Sequence, residues 1–128
     1  MGRAAVLLSL LAAVLAAGAL AAGPPPTLKA TVSGSTVTIS NKSSQSFKGY
    51  FINSTDSPKI TGISDRSCKL GTSNWTAQGK KHTDYWADCS GTIGAKKTVA
   101  ITLKTSGHGT IFVWVKIGKM QYKIGQGG

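Results

Sequence analysis

Residues 97–124 read KTVAITLKTSGHGTIFVWVKIGKMQYKI, and this stretch decides the fold class. Apolar and polar side chains alternate over 97–104, which predicts a strand with one buried and one solvated face. The apolar run 111–117 predicts a strand that is covered on both faces. Alternation returns at 120–124, and the intervening Gly118-Lys119 pair suits a type II′ hairpin turn. The stretch therefore predicts a meander of three consecutive antiparallel strands.

Shorter alternating segments precede this stretch. Residues 27–32 and 36–40 flank a Ser-Gly-Ser turn and predict an opening hairpin. Residues 47–53 predict a further strand, in which the central glycine marks a bulge or a close backbone approach. Strict alternation divides its side chains between two faces, with Phe47, Gly49 and Phe51 on one and Tyr50 and Ile52 on the other.

The middle of the chain, residues 54–94, is less regular. It predicts short strands at 60–63, 67–70 and 80–85, whereas 88–94 has the composition of a turn. After the N-terminal segment no apolar period of 3.6 residues appears, so little helix is expected. The whole pattern predicts an all-β, immunoglobulin-like antiparallel sandwich of about seven to eight strands.

The N-terminal segment is predicted to be a secretory signal peptide, residues 1–21. Arg3 precedes a long apolar run, the small residues at 19–21 suit cleavage, and Pro24–Pro26 follow. An uncleaved membrane anchor is the alternative. We expect a secreted, extracellular protein with one domain at 22–128 and no transmembrane segment.

The two cysteines, Cys68 and Cys89, are predicted to form a disulfide, as a pair does in a small secreted domain. The 21-residue separation corresponds to about 3 kcal/mol of stabilisation in the chain-entropy model. Two reactive thiols or a metal pair are the alternative, but the chain lacks a CxxC spacing.

The charge is strongly basic, with 15 Lys+Arg against 4 Asp+Glu. A secreted basic domain favours anionic partners, such as microbial surface polymers, anionic lipids or sulfated glycans. Nucleic acid is not an expected partner, because nearly all the cations are lysines, which lack the bidentate fork of arginine. The alternative is that the lysines only provide solubility and block sheet edges. No oligomeric state is predicted.

An enzyme is not expected. The two histidines, His82 and His108, have no ligand spacing around them, so we predict neither a metal nor a cofactor. Asp84 and Asp88 fit turn chemistry better than a pair of catalytic carboxylates. His82 is interpreted as a hydrogen-bonding residue of a strand end.

Aromatic and basic residues cluster in the middle loops, and this combination suits sugar or anionic-polymer surfaces. The predicted ligand-binding residues are Trp75, Lys80, Lys81, Tyr85, Lys96 and Lys97. Trp75 is expected to be exposed. Three other large aromatic residues, Trp86, Phe112 and Trp114, are assigned to the core, with Trp86 near Cys89.

Three Asn-x-Ser/Thr sequons begin at Asn41, Asn53 and Asn74. All three are predicted at loops or strand ends, where a glycan could be accommodated in a eukaryotic secreted protein.

Five short motifs occur in an order that resembles the Reeler domain family: FKGYFI at 47–52, CKL at 68–70, KHT at 81–83, KTVAIT at 97–102 and TIFVWV at 110–115. The resemblance implies an immunoglobulin-like sandwich and a binding role, as in small secreted defence proteins. The chain departs from the family pattern in lacking an early cysteine and a Trp-Thr-Ala-Pro run.

These observations lead to one functional hypothesis. We expect a secreted, non-enzymatic binding protein of innate defence that attaches to anionic microbial surface components. The alternative is an extracellular matrix or adhesion module, or a carbohydrate-binding module. A small hydrolase is a third hypothesis.

Overall fold

The structure is a computed structural model that describes residues 23–128. The predicted signal peptide, residues 1–21, lies outside the described residues. Regular structure in the described part is entirely β-strand. Within this part, the chain has no helix with the length and apolar character needed to cross a membrane.

Residues 23–128 contain nine strands: β1 (Leu28–Ser33), β2 (Thr36–Asn41), β3 (Phe47–Thr55), β4 (Lys59–Ile63), β5 (Cys68–Ala77), β6 (Lys80–Ile93), β7 (Lys97–Ser106), β8 (Ile111–Ile117) and β9 (Met120–Gly127). They form a four-stranded sheet, β1-β2-β7-β4, and a five-stranded sheet, β5-β6-β3-β8-β9. All pairings are antiparallel. The predicted immunoglobulin-like sandwich is confirmed, with nine strands in place of seven to eight.

The core lies between the two sheets and consists of alternate residues from both. The largest fully buried apolar side chains are those of Val37, Ile39, Tyr50, Ile52, Ile93, Ile101, Ile111, Val113 and Val115. Strands with one face in this core show the period-2 pattern that the sequence displays, which explains why β1, β2 and β7 were predictable.

The predicted meander at 97–124 is wrong. β7 pairs with β2 and β4 in the four-stranded sheet, whereas β8 pairs with β3 and β9 in the other. The chain therefore changes sheets between β7 and β8. Only the β8–β9 hairpin of the meander exists, and its turn has Gly118 at φ 63°, as the first central position of a type II′ turn requires.

An irregularity in the pairing of β3 with β6 changes which β3 side chains are buried. The pairing with β6 shifts between Lys48 and Tyr50, and Gly49 has φ 96°. The partners of Lys48 and Tyr50 are Thr92 and Cys89, so one β3 residue faces two β6 residues and the extra residue belongs to β6. The alternation of β3 breaks at Gly49, so Phe47 joins Tyr50 and Ile52 in the core and does not share the outer face with Phe51. The central glycine predicted a bulge or a close backbone approach here, but strict alternation placed Phe47 on the wrong face.

The longest hairpin joins β5 and β6. Residues 88–94 are not a turn, because β6 continues to Ile93 beside β3. The turn lies at Gln78-Gly79, where both residues have positive φ (52° and 76°), as in a type I′ turn. β3 pairs with β6 only as far as Asp84, so the tip of the hairpin extends beyond the body of the sheet.

The predicted disulfide is confirmed. Cys68 and Cys89 lie directly opposite each other on β5 and β6, with their Cα atoms 3.9 Å apart. The bond therefore crosses the base of the long hairpin, on the side that faces the core. It anchors the edge strand β5, whose side chains are otherwise mostly exposed.

Candidate ligand-binding face

The outer side of the five-stranded sheet carries five large aromatic side chains. They are Phe51, Trp75, Trp86, Phe112 and Trp114, and we refer to them as the aromatic face. Along each strand, the residues next to these aromatic residues point to the opposite side, which is the core side of the sheet. All five therefore share the outer side. Trp75 is 41% exposed, and the other four are partly exposed.

The strand register arranges four of these residues in two adjacent rows. Phe51 lies opposite Trp114 in one row. In the next row, Asn53 lies between Trp86 of β6 and Phe112 of β8. Neighbouring strands are about 4.8 Å apart, so the rings form a contiguous patch.

Trp86 lies flat on the sheet. A Cβ atom at Gly71, directly opposite on β5, would overlap the indole ring, so the glycine provides the space that the ring occupies. The indole Nε1 donates a hydrogen bond to Ser73 Oγ at 3.0 Å, and the ring stacks on Phe51 with centroids 6.1 Å apart. These contacts fix the ring while leaving part of it open to solvent.

The assignment of Trp86 to the core is therefore wrong. Its neighbours Ala87 and Cys89 are fully buried, and with Ala87 facing inward the preceding residue must face outward. The same reason corrects Phe112 and Trp114. The inward positions of β8 are taken by Ile111, Val113 and Val115.

Trp114 and Phe112 are each held by a polar neighbour. Trp114 Nε1 donates a hydrogen bond to Asn53 Oδ1 at 2.8 Å. The ammonium group of Lys123 lies over the Phe112 ring, 5.6 Å from its centroid, which is a cation–π distance. The rings are therefore oriented before any ligand arrives.

Trp75 lies on the projecting part of the β5–β6 hairpin. Its ring stacks on His82 with centroids 4.3 Å apart, and its Nε1 donates to Asp84 Oδ1 at 3.1 Å. Asp84 also accepts a hydrogen bond from Thr55 Oγ1 at 2.9 Å. Trp75 is exposed, as the sequence predicts, whereas Asp84 belongs to a strand and not to a turn.

Asp56 connects the β3–β4 loop to this hairpin. One carboxylate oxygen, Oδ2, contacts His82 Nδ1 at 2.7 Å, and the other, Oδ1, accepts the backbone N–H of Thr83 at 2.9 Å. The hydrogen bond from His82, followed by that from Thr83, lowers the pKa of Asp56. His82 thus acts as a hydrogen-bonding residue of the strand and supports the Trp75 ring.

The predicted ligand-binding residues do not form one surface. Lys80 and Lys81 lie beside Trp75 at the hairpin tip, and both are exposed. Tyr85 points inward and packs against the core. Lys96 and Lys97 follow the other end of β6, roughly 40 Å away along the strand at 3.4 Å per residue.

Sequence reasoning missed Phe51, Phe112 and Trp114 as surface residues. One signal could have identified the last two. Lys116 follows at the next alternate position of β8, and a lysine on that face indicates solvent and not core. Lys116 does lie outside, where it forms an ion pair with Asp88 of β6.

A second polar cluster lies on the core side near the disulfide. Tyr50 Oη donates a hydrogen bond to Asp65, and burial, followed by this interaction, raises the pKa of Tyr50 above its usual range. Burial opposes ionisation of Asp65, but hydrogen bonds from Tyr50 and Ser67 outweigh it and lower the pKa of Asp65. The pair links the β4–β5 loop to β3.

In residues 23–128 no group of three or more His, Cys, Asp or Glu side chains is arranged to hold a metal ion. Comparison with family models, curated proteins and solved structures finds no match to the chain. The aromatic face is the arrangement of described residues with the clearest chemical use, since flat, fixed rings can stack on apolar surfaces of a ligand.

Proposed function

We propose that the chain is a secreted, non-catalytic protein that binds polysaccharide through the aromatic face. The observation that carries the proposal is the Trp86 ring, held flat over Gly71 and hydrogen-bonded to Ser73, with part of the ring open to solvent. A fixed aromatic ring stacks on the apolar face of a sugar at low entropic cost.

The extent of the aromatic face favours a polymer over a single sugar. His82, which supports Trp75, and Asp88, which lies opposite Phe51, are six residues apart on β6, or about 20 Å at 3.4 Å per residue. The rings cross the sheet diagonally from β5 to β8. This length accommodates several consecutive sugar units of an extended chain.

Polar groups lie between the rings and can serve sugar hydroxyl groups. Asn53 and Asp84 already accept hydrogen bonds from ring N–H groups, and their oxygens retain further acceptor capacity. Lys69 and Lys123 lie at the two ends of the row that contains Phe51. The face therefore combines stacking surfaces with donors and acceptors, as sugar recognition requires.

The proposal is tested by sedimentation of the protein with insoluble chitin, cellulose and β-1,3-glucan. Trp86→Ala and Trp114→Ala are each expected to weaken binding to the polysaccharide recognised by about tenfold or more, the loss typical of a central aromatic contact. Met120→Ala is the matched control, because Met120 is a large apolar residue that is 59% exposed but lies outside the aromatic face.

Failure of the unmodified protein to bind any of the three polysaccharides would overturn the proposal. Equal weakening by Met120→Ala would also contradict it, because any exposed apolar side chain would then suffice. Size-exclusion chromatography of the same variants distinguishes ligand binding from self-association through this face.

The basic composition supports a second candidate function, attachment to anionic microbial surfaces in innate defence. The chain has 15 Lys+Arg and 4 Asp+Glu, and the resemblance to small Reeler-type defence proteins implies the same role. Binding to lipopolysaccharide or anionic liposomes should then fall steeply with ionic strength. Sulfated glycans, tested alongside, represent the matrix-adhesion alternative.

A further inference from the structure

The three sequons lie in different surroundings. Each needs an asparagine whose side-chain Nδ2 can reach the transferring enzyme and whose attached sugar can remain in solvent. Asn41 ends β2, Asn53 lies within β3, and Asn74 lies within β5. These positions differ in burial and in what the amide nitrogen already contacts.

Asn41 has no room for a sugar. It is 1% exposed, and its Nδ2 donates to the carbonyl oxygens of Gln45 at 2.8 Å and Gly94 at 3.0 Å. Its Oδ1 accepts the backbone N–H of Ser43 at 3.1 Å. An N-linked sugar would replace one of the two Nδ2 hydrogens and leave a carbonyl without its donor. A chain with a glycan at Asn41 could not adopt this fold.

Asn53 lies in the middle of the five-stranded sheet. Its register neighbours are Trp86 on β6 and Phe112 on β8, and its Oδ1 accepts the N–H of Trp114. A sugar on its Nδ2 would have to share the space of these rings. The sequon at Asn53 is therefore blocked by packing, independently of what the aromatic face binds.

Asn74 differs from Asn41 and Asn53 in burial, in the contacts of its Nδ2 and in the space around it. It is exposed on the edge strand β5, as are its neighbours Trp75 and Thr76. Its Oδ1 accepts a hydrogen bond from Thr83 Oγ1 at 2.9 Å, while its Nδ2 makes no hydrogen bond within residues 23–128. Because side chains alternate along a strand, Asn74 and Trp75 point to opposite sides of the hairpin.

We propose that Asn74 is the N-glycosylation site of this chain and that Asn41 and Asn53 remain unmodified. In the reaction, Asn74 Nδ2 attacks the anomeric carbon of a lipid-pyrophosphate-linked oligosaccharide. The N–C bond forms as the bond from that carbon to the pyrophosphate oxygen breaks. Lipid pyrophosphate leaves, and Nδ2 loses one proton.

The position gives the glycan two structural effects. β5 is the last strand of its sheet, so its outer edge presents free N–H and C=O groups to which another chain could add. A bulky hydrophilic glycan at Asn74 hinders such addition. Since it projects from the side opposite Trp75, it also leaves the aromatic face uncovered.

The test is secretion of the full chain from a eukaryotic host, followed by intact mass and glycopeptide mapping before and after enzymatic deglycosylation. Asn74→Gln and Thr76→Ala are each expected to remove all N-linked mass. Thr55→Val and Ser43→Ala, which delete the other two sequons and keep their asparagines, are expected to leave that mass unchanged.

Three outcomes would overturn the inference: no N-linked glycan on the secreted protein, a glycan mapped to Asn41 or Asn53, or retention of the glycan in Asn74→Gln. Polysaccharide sedimentation of the same samples keeps the two proposals apart. A protein that is glycosylated at Asn74 but binds no polysaccharide would contradict only the function proposed for the aromatic face.

Discussion

Gly71 supplies space and not backbone freedom. Its φ lies outside the left-handed region, and a Cβ atom there would overlap the Trp86 indole. Gly71→Ala is therefore expected to lift the ring from the sheet, break its hydrogen bond to Ser73 and weaken polysaccharide binding. Overpacking of this kind costs about 1–3 kcal/mol, which urea denaturation measures.

Thr72→Ala is the control for that substitution. Thr72 is the next residue of β5, is exposed and points to the other side. The variant should retain both stability and binding. Unchanged tryptophan fluorescence in Gly71→Ala would show that the ring does not depend on this glycine.

Asn41 is a buried polar residue on which the structure depends. Its amide joins the loop after β2 to the carbonyl of Gly94 through hydrogen bonds of 2.8 and 3.0 Å. Asn41→Ala leaves these carbonyls without a donor, and the free energy of unfolding should fall by about 1–3 kcal/mol. Lys42→Ala, at an exposed neighbour, should change it little. Equal stability of the two variants in urea would contradict this role.

The carboxylate of Asp56 makes the hairpin sensitive to acid. Its pKa is lowered in the folded protein, so its contacts with His82 and Thr83 stabilise the structure above the usual aspartate pKa. That contribution is lost as the pH falls through the lowered value. A tryptophan fluorescence change from Trp75 is expected in this acid range.

Asp56→Asn identifies the origin of the acid transition. The amide cannot ionise, so the transition at Trp75 should disappear from the fluorescence titration. The pKa of Asp65 is also lowered, as that of Asp56 is, but Asp65 lies beside Tyr50 and far from Trp75 in the fold. If the acid transition persisted in Asp56→Asn and disappeared in Asp65→Asn, Asp65 would be its origin, and the prediction for Asp56 would be wrong.

Residue by residue, the sequence predicted burial where alternation was unbroken. The buried positions of β7, Ile101 and Leu103, follow directly from the pattern. The burial of Phe47 was not predicted, because the alternation of β3 breaks at Gly49, where the register with β6 shifts. The exposure of Trp86 was not predicted either, because its closeness to Cys89 suggested the core, whereas Ala87 beside it occupies the inward position.

At the scale of elements, the β5–β6 hairpin was hardest to predict. Its outer half extends beyond β3, so both faces of β5 and β6 meet solvent there and no apolar alternation develops. The mostly polar residues 71–77 of β5, such as Ser73, were therefore not predicted as strand. Pairing between the two strands, together with the I′ turn, holds them as a hairpin.

The disulfide stabilises this hairpin at its base. Replacement of both Cys68 and Cys89 by alanine removes the 21-residue closure. The free energy of unfolding is expected to fall by about 3 kcal/mol, as loop entropy predicts. Urea denaturation of the oxidised protein and the double variant measures the difference, and reduced wild type is the control. Equal urea midpoints for the oxidised protein and the double variant would show that backbone pairing of β5 and β6 stabilises the hairpin without the disulfide.

For the whole molecule, the sequence predicted two sheets but not their membership. Residues 97–104 and 111–117 are consecutive strands, yet they belong to different sheets. Periodicity reports which face of a strand is buried, whereas partners such as β2 for β7 and β3 for β8 depend on contacts between distant parts of the chain. The aromatic face combines four strands, so no local pattern displays it.

The lysines at the two ends of the molecule separate the two candidate functions. Substitution of glutamine for Lys80 and Lys81, or for Lys96 and Lys97, should change binding to neutral polysaccharide by less than about twofold, because exposed charges contribute little. Binding to anionic liposomes, if present, should fall similarly in both variants, since net charge governs it. A loss confined to one pair would instead locate an anion site there.

The bond between Cys68 and Cys89 also has a consequence for proteolysis. It closes a covalent ring that contains Trp75 and Trp86 as well as the projecting turn at Gln78-Gly79. A protease that cuts this exposed turn therefore releases no fragment, because both cut ends stay attached through the sulfur atoms. The nicked protein would migrate as two pieces only after reduction, and until then both tryptophans would remain in one molecule.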